Sequence, residues 1–205
     1  AEQGGAAHAE RLADVEHSHV DRWVVAEAVA AGASRALAKE PRFAALSANP
    51  FAAVAAHVGR DGDALSNGTT RTAGHVCAPL PLPTRTGLPV CVVGYFDTRA
   101  DDSARAQGGV QLTAATGRAD ESARVDWNRA LCANVAAAYA ALLEVLPSLV
   151  GGGAARAYGY WPTAGELAQE ELGELVLSPL YERLAELPLF LTLPRTLVEG
   201  DRGHH

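Results

Sequence analysis

The sequence predicts an α+β fold, in which a mostly antiparallel sheet of about four strands packs against a long helix and C-terminal helices. Two observations predict this class: short apolar runs bounded by turn-forming residues fill the first half of the chain, and residues 123–146 carry a long helical stripe. The 205 residues suit one domain, which we place at 19–205 with a possible sub-boundary near 147–153. Residues 1–18 are small and polar, and we predict a disordered lead-in there.

The apolar runs of the first quarter of the chain predict a strand, a helix and an ambiguous segment. Residues 21–28 predict a strand with Trp23 and Val25 on one face. The alanine-rich residues 28–39 predict a short helix that ends before a proline. Residues 50–58 fit a strand by their length and flanking breakers, and a helix by their alanine content.

Two further apolar runs, 75–80 and 89–96, predict a pair of strands joined as a hairpin. A turn-rich loop at 59–74 precedes them, and a polar loop at 97–109 follows them. These two runs complete the sheet expected from the first half of the chain.

The connection inside this hairpin is rich in proline, which cannot donate a backbone hydrogen bond. A strand through Pro79 and Pro81 cannot be central in a sheet. We therefore predict that the chain leaves the sheet as an extended arm, turns at Gly87 and returns at Pro89. Such an arm would hold Arg85 and its neighbours outside the sheet. A rigid loop that only sets the strand register is the alternative.

The second half of the chain predicts helices. Pro147 is expected to close the helix at 123–146. Thr163 and Glu166 have the spacing of a capping box, and the pair Ser178–Pro179 should kink or restart a leucine-rich helix. Residues 189–192 predict a final strand. The two apolar stripes that predict these helices are Trp127, Leu131, Val135, Ala138, Tyr139, Leu142 and Leu146, and then Leu172, Val176, Leu180, Leu184 and Leu187.

Composition disfavours several classes of partner. The net charge is −7, from 17 Lys and Arg against 24 Asp and Glu, and the positive charges form no run. We therefore predict no nucleic-acid partner and no membrane partner. The three cysteines match no disulfide spacing, which predicts reduced, buried thiols in a cytoplasmic protein. The chain contains no methionine, so we expect it to be a piece of a longer polypeptide.

The sequence carries no phosphate-binding, dinucleotide-binding or nucleophile-elbow motif. His75 and the three cysteines lack the ligand spacing of a zinc site, and Asp97, Asp101 and Asp102 miss the calcium-loop pattern. We therefore predict no catalytic residue, no metal and no cofactor in this chain. A small-molecule enzyme whose pocket includes His75, Tyr95 or Asp97 is the least favoured alternative.

An ordered set of motifs between about residues 20 and 192 resembles the repeat region of sacsin-like proteins. The shared pattern is a proline-rich strand, a T-G-L-P-V turn, a glycine before two aromatics, W-N at a long helix, and W-P. One departure is at Asp101, Asp102 and Ser103, where the family usually has a basic pair. The motif residues are Leu80, Pro81, Leu82, Pro83, Thr86, Gly87, Leu88, Pro89, Val90, Gly94, Tyr95, Phe96, Trp127, Asn128, Tyr139, Trp161, Pro162, Pro179, Leu180 and Tyr181, with Trp23 near the start.

The resemblance implies a function. In sacsin-like proteins, each repeat begins with an ATP-binding module of the heat-shock-chaperone type, and the segment resembled here follows it. The resemblance thus implies a non-catalytic module of a large (co)chaperone, whose partners are other domains of the same protein, client proteins or chaperones. It also implies that Arg85 or Arg71 could reach the nucleotide phosphate of the neighbouring module. A purely architectural repeat unit is the alternative.

Overall fold

The computed structural model describes residues 20–29, 32–46, 49–60, 74–78, 80–98, 109–114, 117–150, 154–163 and 171–189. The predicted α+β class is confirmed, with five strands among these residues instead of about four. The strands are β1 (Asp21–Val29), β2 (Phe51–Arg60), β3 (His75–Cys77), β4 (Pro81–Arg85) and β5 (Cys91–Gly94). The helices are α1 (Ser34–Leu37), α2 (Ala119–Leu149), α3 (Ala154–Ala157) and α4 (Glu171–Leu184), with 3₁₀ turns at Pro41–Leu46 and Tyr158–Tyr160.

The strand order in the sheet is β1-β2-β5-β3-β4. Every pair is antiparallel except β3 and β5, which run parallel. The predicted hairpin of β3 and β5 is therefore wrong, because β4 lies between them in the chain and reverses the direction once more. The strand β5 then enters the sheet between β2 and β3.

The predicted proline arm is also wrong, because the segment stays in the sheet as the edge strand β4. Cys77 faces Pro81 across the pair, and His75 faces Arg85. An edge strand tolerates proline because the lost N–H groups need no partner on the open side. Pro81 does not lie in a central strand, as predicted, and Pro79 lies outside the described residues.

The strand register gives the sheet two faces, because side chains alternate along each strand. On the inner face, β1 presents half-buried residues and the next strands present fully buried ones, and these pack with the helices. The ambiguous segment 50–58 is a strand, and its small alanines allow α2 to lie close to β2. The inner-face residues are Val24, Ala26, Ala28, Ala52, Val54, Ala56, Val76 and Val92.

Helix α2 is the central element of the core. All seven residues of its predicted stripe are buried, and α4 packs alongside through Leu172, Val176, Leu180 and Leu184. By length and composition alone α2 could cross a membrane, with a mean hydropathy of 1.6 in its most apolar window. That window is 61% buried within the protein, so packing against the sheet and α4 accounts for its apolar composition.

Several helix boundaries differ from the predicted ones. Pro147 lies inside the last turn of α2, which continues to Leu149, and Pro179 lies inside an unbroken α4 instead of restarting it. Within the predicted helix at 28–39, β1 extends to Val29 and the described α-helix is the single turn α1. Outside the described residues lie 1–18, most of the loops at 59–74 and 97–109, the glycines 151–153, Glu166 of the capping box, and 190–192 of the predicted last strand.

Candidate functional site

The T-G-L-P turn that follows β4 is held together by a buried hydroxyl. Thr86 Oγ1 accepts a hydrogen bond from the Leu88 N–H at 3.0 Å and lies 3.2 Å from the Leu88 carbonyl oxygen and 3.3 Å from that of Val90. Gly87 takes a positive φ of 65°, which glycine adopts without strain. The turn therefore has one well-defined shape.

The chain before β3 locks this turn from the other side. The Thr86 N–H donates to the Gly74 carbonyl and the Gly74 N–H donates to the Leu88 carbonyl, each at 3.0 Å. A Cβ added at Gly74 would lie 1.7 Å from the Val90 carbonyl oxygen, so only glycine allows this approach. Arg85 directly precedes Thr86 and is thus attached to a rigid anchor.

Arg85 is exposed at the end of the edge strand β4, opposite His75. Within the part of the chain that the structure describes, Arg85 forms no ion pair. Its guanidinium can therefore meet an anion without first leaving a carboxylate. The second candidate, Arg71, lies outside the described residues.

The aromatic and W-N motifs meet where β5 ends and α2 passes it. The Trp127 indole N–H donates to the Tyr95 carbonyl at 2.9 Å. The Asn128 amide accepts from the Asp97 N–H at 2.8 Å and donates to the Asp97 and Gln111 carbonyls, both at 2.9 Å. These contacts fasten the chain on both sides of residues 99–108 to the helix.

Tyr139 joins α2 to the 3₁₀ turn before Trp161. Its hydroxyl donates to the Tyr160 carbonyl, and the Tyr160 hydroxyl donates to the His57 carbonyl at 2.7 Å. Burial raises the pKa of Tyr160, which keeps this hydroxyl protonated as a donor. The chain of two tyrosines links the helical layer to β2.

The remaining motif residues divide by exposure. Leu88, Pro89, Gly94, Phe96 and Pro162 are buried and Trp161 is half-buried, which assigns them to packing. Leu80, Pro81, Pro83 and Tyr95 are exposed. The structure thus brings most motif residues together as a scaffold and leaves few of them at the surface.

The face of the sheet opposite the helices is mostly apolar, and its most exposed residues lie on the edge strands β1 and β4. We call it the outer face. Trp23, Val25 and Val29 on β1 keep 47%, 54% and 67% of their surface exposed, and the half-exposed Phe51 packs against the ring of Tyr95 at 6.0 Å. The outer face comprises Trp23, Val25, Glu27, Val29, Phe51, Ala53, Ala55, His57, Cys91, Val93, His75, Cys77, Pro81 and Arg85.

Sequence reasoning placed Trp23 and Val25 on one face but did not recognise an interaction surface. The available signal was the apolar character of both faces of β1, where Val24 and Ala26 alternate with Trp23 and Val25. A strand with one solvated face normally alternates apolar and polar residues. The neighbouring sequence could not predict that Arg85 lies on the same face, because this position depends on the pairing of β4 with β3.

Two observations on the described residues bear on metal and thiol chemistry. The described residues contain no group of three or more His, Cys, Asp or Glu side chains that could hold a metal ion. Burial raises the pKa of the Cys132 thiol to about 12, and burial with the neighbouring Cys91 raises the pKa of Cys77. Because the thiolate is the reactive species, a raised pKa makes both thiols poor nucleophiles.

Comparisons with models of known protein families, with curated proteins and with solved structures found no match to this chain. The resemblance to sacsin-like repeats therefore depends on the sequence motifs alone. Those motifs and the outer face are the observations that bear on the function of this chain.

Proposed function

We propose that this chain is a non-catalytic module of a large sacsin-like (co)chaperone, which supports a neighbouring ATP-binding module and makes protein–protein contacts. The observation that carries this proposal is the mostly apolar outer face, which ends at one edge in Arg85, an arginine without an ion pair among the described residues. The ATP-binding module is the partner that the motif resemblance supplies.

The outer face has the composition of an interaction surface. A contiguous exposed apolar surface on a protein commonly marks an interface, because its burial against a partner is favourable. Trp23 is the large aromatic anchor at the β1 edge, and its ring contacts His57 with centroids 5.0 Å apart. Docking of the neighbouring module on this face would cover Trp23 and Val25 together.

Arg85 gives the interface a chemical role. The register places Arg85 on the same face as Trp23, at the opposite edge of the sheet. In the proposed complex, this arginine reaches the phosphates of ATP bound in the neighbouring module and neutralises charge that develops during hydrolysis. The Thr86 anchor limits the motion of the strand end, which improves positioning.

The docking step is tested by measuring the affinity of this chain for the adjoining ATP-binding module of the full-length protein. Trp23→Ser should weaken binding by about tenfold or more, because it removes an exposed aromatic anchor. Val145→Ser is the matched control, since Val145 is 42% exposed on α2, away from the sheet.

The control variant should bind with the affinity of the unmodified chain. Equal affinities for the unmodified chain and Trp23→Ser would contradict docking on the outer face. A failure of the unmodified chain to bind the module at all would contradict the proposed function itself.

A further inference from the structure

We propose that a cavity in the helical layer binds an organic cation with a methylated ammonium group. The cavity has a volume of about 300 Å³ and lies between the last turns of α2, the 3₁₀ turn Tyr158–Tyr160, and the residues that follow α4. Its walls include Glu144 from α2, Tyr158 and Trp161 from the turn, and Pro188. This site goes beyond the proposed function, because it is separate from the outer face.

Two aromatic rings form one corner of the cavity. The ring centroids of Tyr158 and Trp161 are 6.0 Å apart, and the ring planes are inclined at 51°. A cation is attracted to the face of an aromatic ring when it lies within about 6 Å of the centroid. At this spacing, a cation in the corner can lie within about 6 Å of both centroids.

The charge of the cavity walls determines whether the cavity favours a cation or an anion. Among the described residues that line the cavity, Glu144 carries the only charged side chain. It forms no ion pair within the described part of the chain. A carboxylate beside two aromatic rings favours a cation and repels an anion.

The shortage of hydrogen-bond acceptors selects the type of cation. A primary ammonium carries three N–H donors and strong hydration, and the side-chain acceptors among the described lining residues are the Glu144 carboxylate and the Tyr158 hydroxyl, so part of that hydration is not replaced. A trimethylammonium group has no N–H to satisfy, and its methyl groups can contact Leu143, Pro147 and Pro188. The volume lies at the lower end of small-ligand pockets, which suits a compact head group.

The test follows the Trp161 indole N–H signal by nuclear magnetic resonance at constant ionic strength, while choline is added to the full chain. A matched titration uses 3,3-dimethylbutan-1-ol, which replaces the nitrogen of choline by carbon and has no charge. We expect a saturable shift with choline, and binding of the neutral alcohol to be weaker by about tenfold.

Two variants assign the effect to the cavity. Glu144→Gln keeps the shape of an exposed side chain and should weaken choline binding by about fivefold, the effect of about 1 kcal/mol of attraction in water. Glu182→Gln on the exposed side of α4 is the matched control and should bind choline unchanged. A third titration with an Nε-trimethyl-lysine peptide distinguishes the two sources of the group. Tighter binding of the peptide indicates a protein ligand, and tighter binding of choline a free small molecule.

Three results would overturn this inference. The first is no saturable shift with choline or the peptide. The second is equal binding of choline and the neutral alcohol, which would describe a cavity selective for apolar groups. The third is the same loss of choline affinity in Glu182→Gln as in Glu144→Gln. That result would show that the net charge of the protein, and not a carboxylate in the cavity, causes the loss.

Discussion

Buried side-chain amides on α2 hold the irregular segments of the chain in place. Asn128 binds Asp97 and Gln111, and Asn134 accepts a hydrogen bond from Ser34 at 2.9 Å and donates to the Pro50 carbonyl at 2.8 Å. The W-N motif drew attention to Asn128, whereas nothing in the sequence indicated Asn134. A polar residue inside an apolar stripe shows that a partner exists, but the partner is set by tertiary structure.

Asn128→Ala should lower the free energy of unfolding by about 3 kcal/mol, because it leaves two buried backbone groups of Asp97 and the part-buried Gln111 carbonyl without their partner. Urea unfolding measures the change. Asn49→Ala, at an exposed position, is the control and should differ from the unmodified protein by less than about 0.5 kcal/mol. A loss of similar size in both variants would contradict the bridging role of Asn128.

Cys132 should make the protein sensitive to alkaline pH. Burial raises its pKa from 9.0 to about 12, so the thiol is protonated in both the folded and unfolded states below pH 9.0. Between these two values the unfolded state loses the proton and the folded state keeps it, so stability falls by about 1.4 kcal/mol per pH unit.

The stability difference between the unmodified protein and Cys132→Ala measures this effect. It should be smaller at pH 10 than at pH 7, by about 1.4 kcal/mol in the free energy of unfolding. The same difference at both pH values would show that the thiol does not titrate differently in the two states.

At the scale of elements, the sequence patterns predicted single helices and strands, but they did not predict which strands pair with each other. The buried stripe on α2 was predicted correctly, because seven apolar residues at three- and four-residue spacing fit one buried face of a helix. The strands β3 and β5 were predicted from their apolar runs, but their pairing was not, and the segment of β4 was wrongly predicted to lie outside the sheet. Whether β5 pairs with β2 or β4 depends on the whole sheet, and no short-range signal reports it.

Pro179 lies in the interior of α4, where it can neither donate to the carbonyl four residues earlier nor avoid contact with it. Pro179→Ala should therefore raise the free energy of unfolding by about 2 kcal/mol. Ser178→Ala, one position earlier in the same helix, should change it by less than about 0.5 kcal/mol. Thermal unfolding with a known enthalpy gives both values. Destabilisation by Pro179→Ala would instead favour the helix restart that the sequence suggested.

At the scale of the whole molecule, the protein is a sheet with helices on one face and an apolar surface on the other. Composition and periodicity were sufficient for the α+β class, because each layer must bury one face against the other. They were insufficient to predict the outer face, because Trp23 and Arg85, at opposite edges of the sheet, share this face only through the register of five strands. The proposed function depends on that shared face.

The most direct test of this proposal is the rate of ATP hydrolysis by the full-length protein with Arg85→Ala. We expect kcat to fall by about 100-fold, because a cation that stabilises the developing phosphate charge is lost. Docking of this chain on the ATP-binding module should persist. Arg183→Ala, at an exposed position of α4, is the matched control and should hydrolyse ATP normally. An unchanged kcat in Arg85→Ala would contradict the coupling role and would leave this chain as an architectural unit.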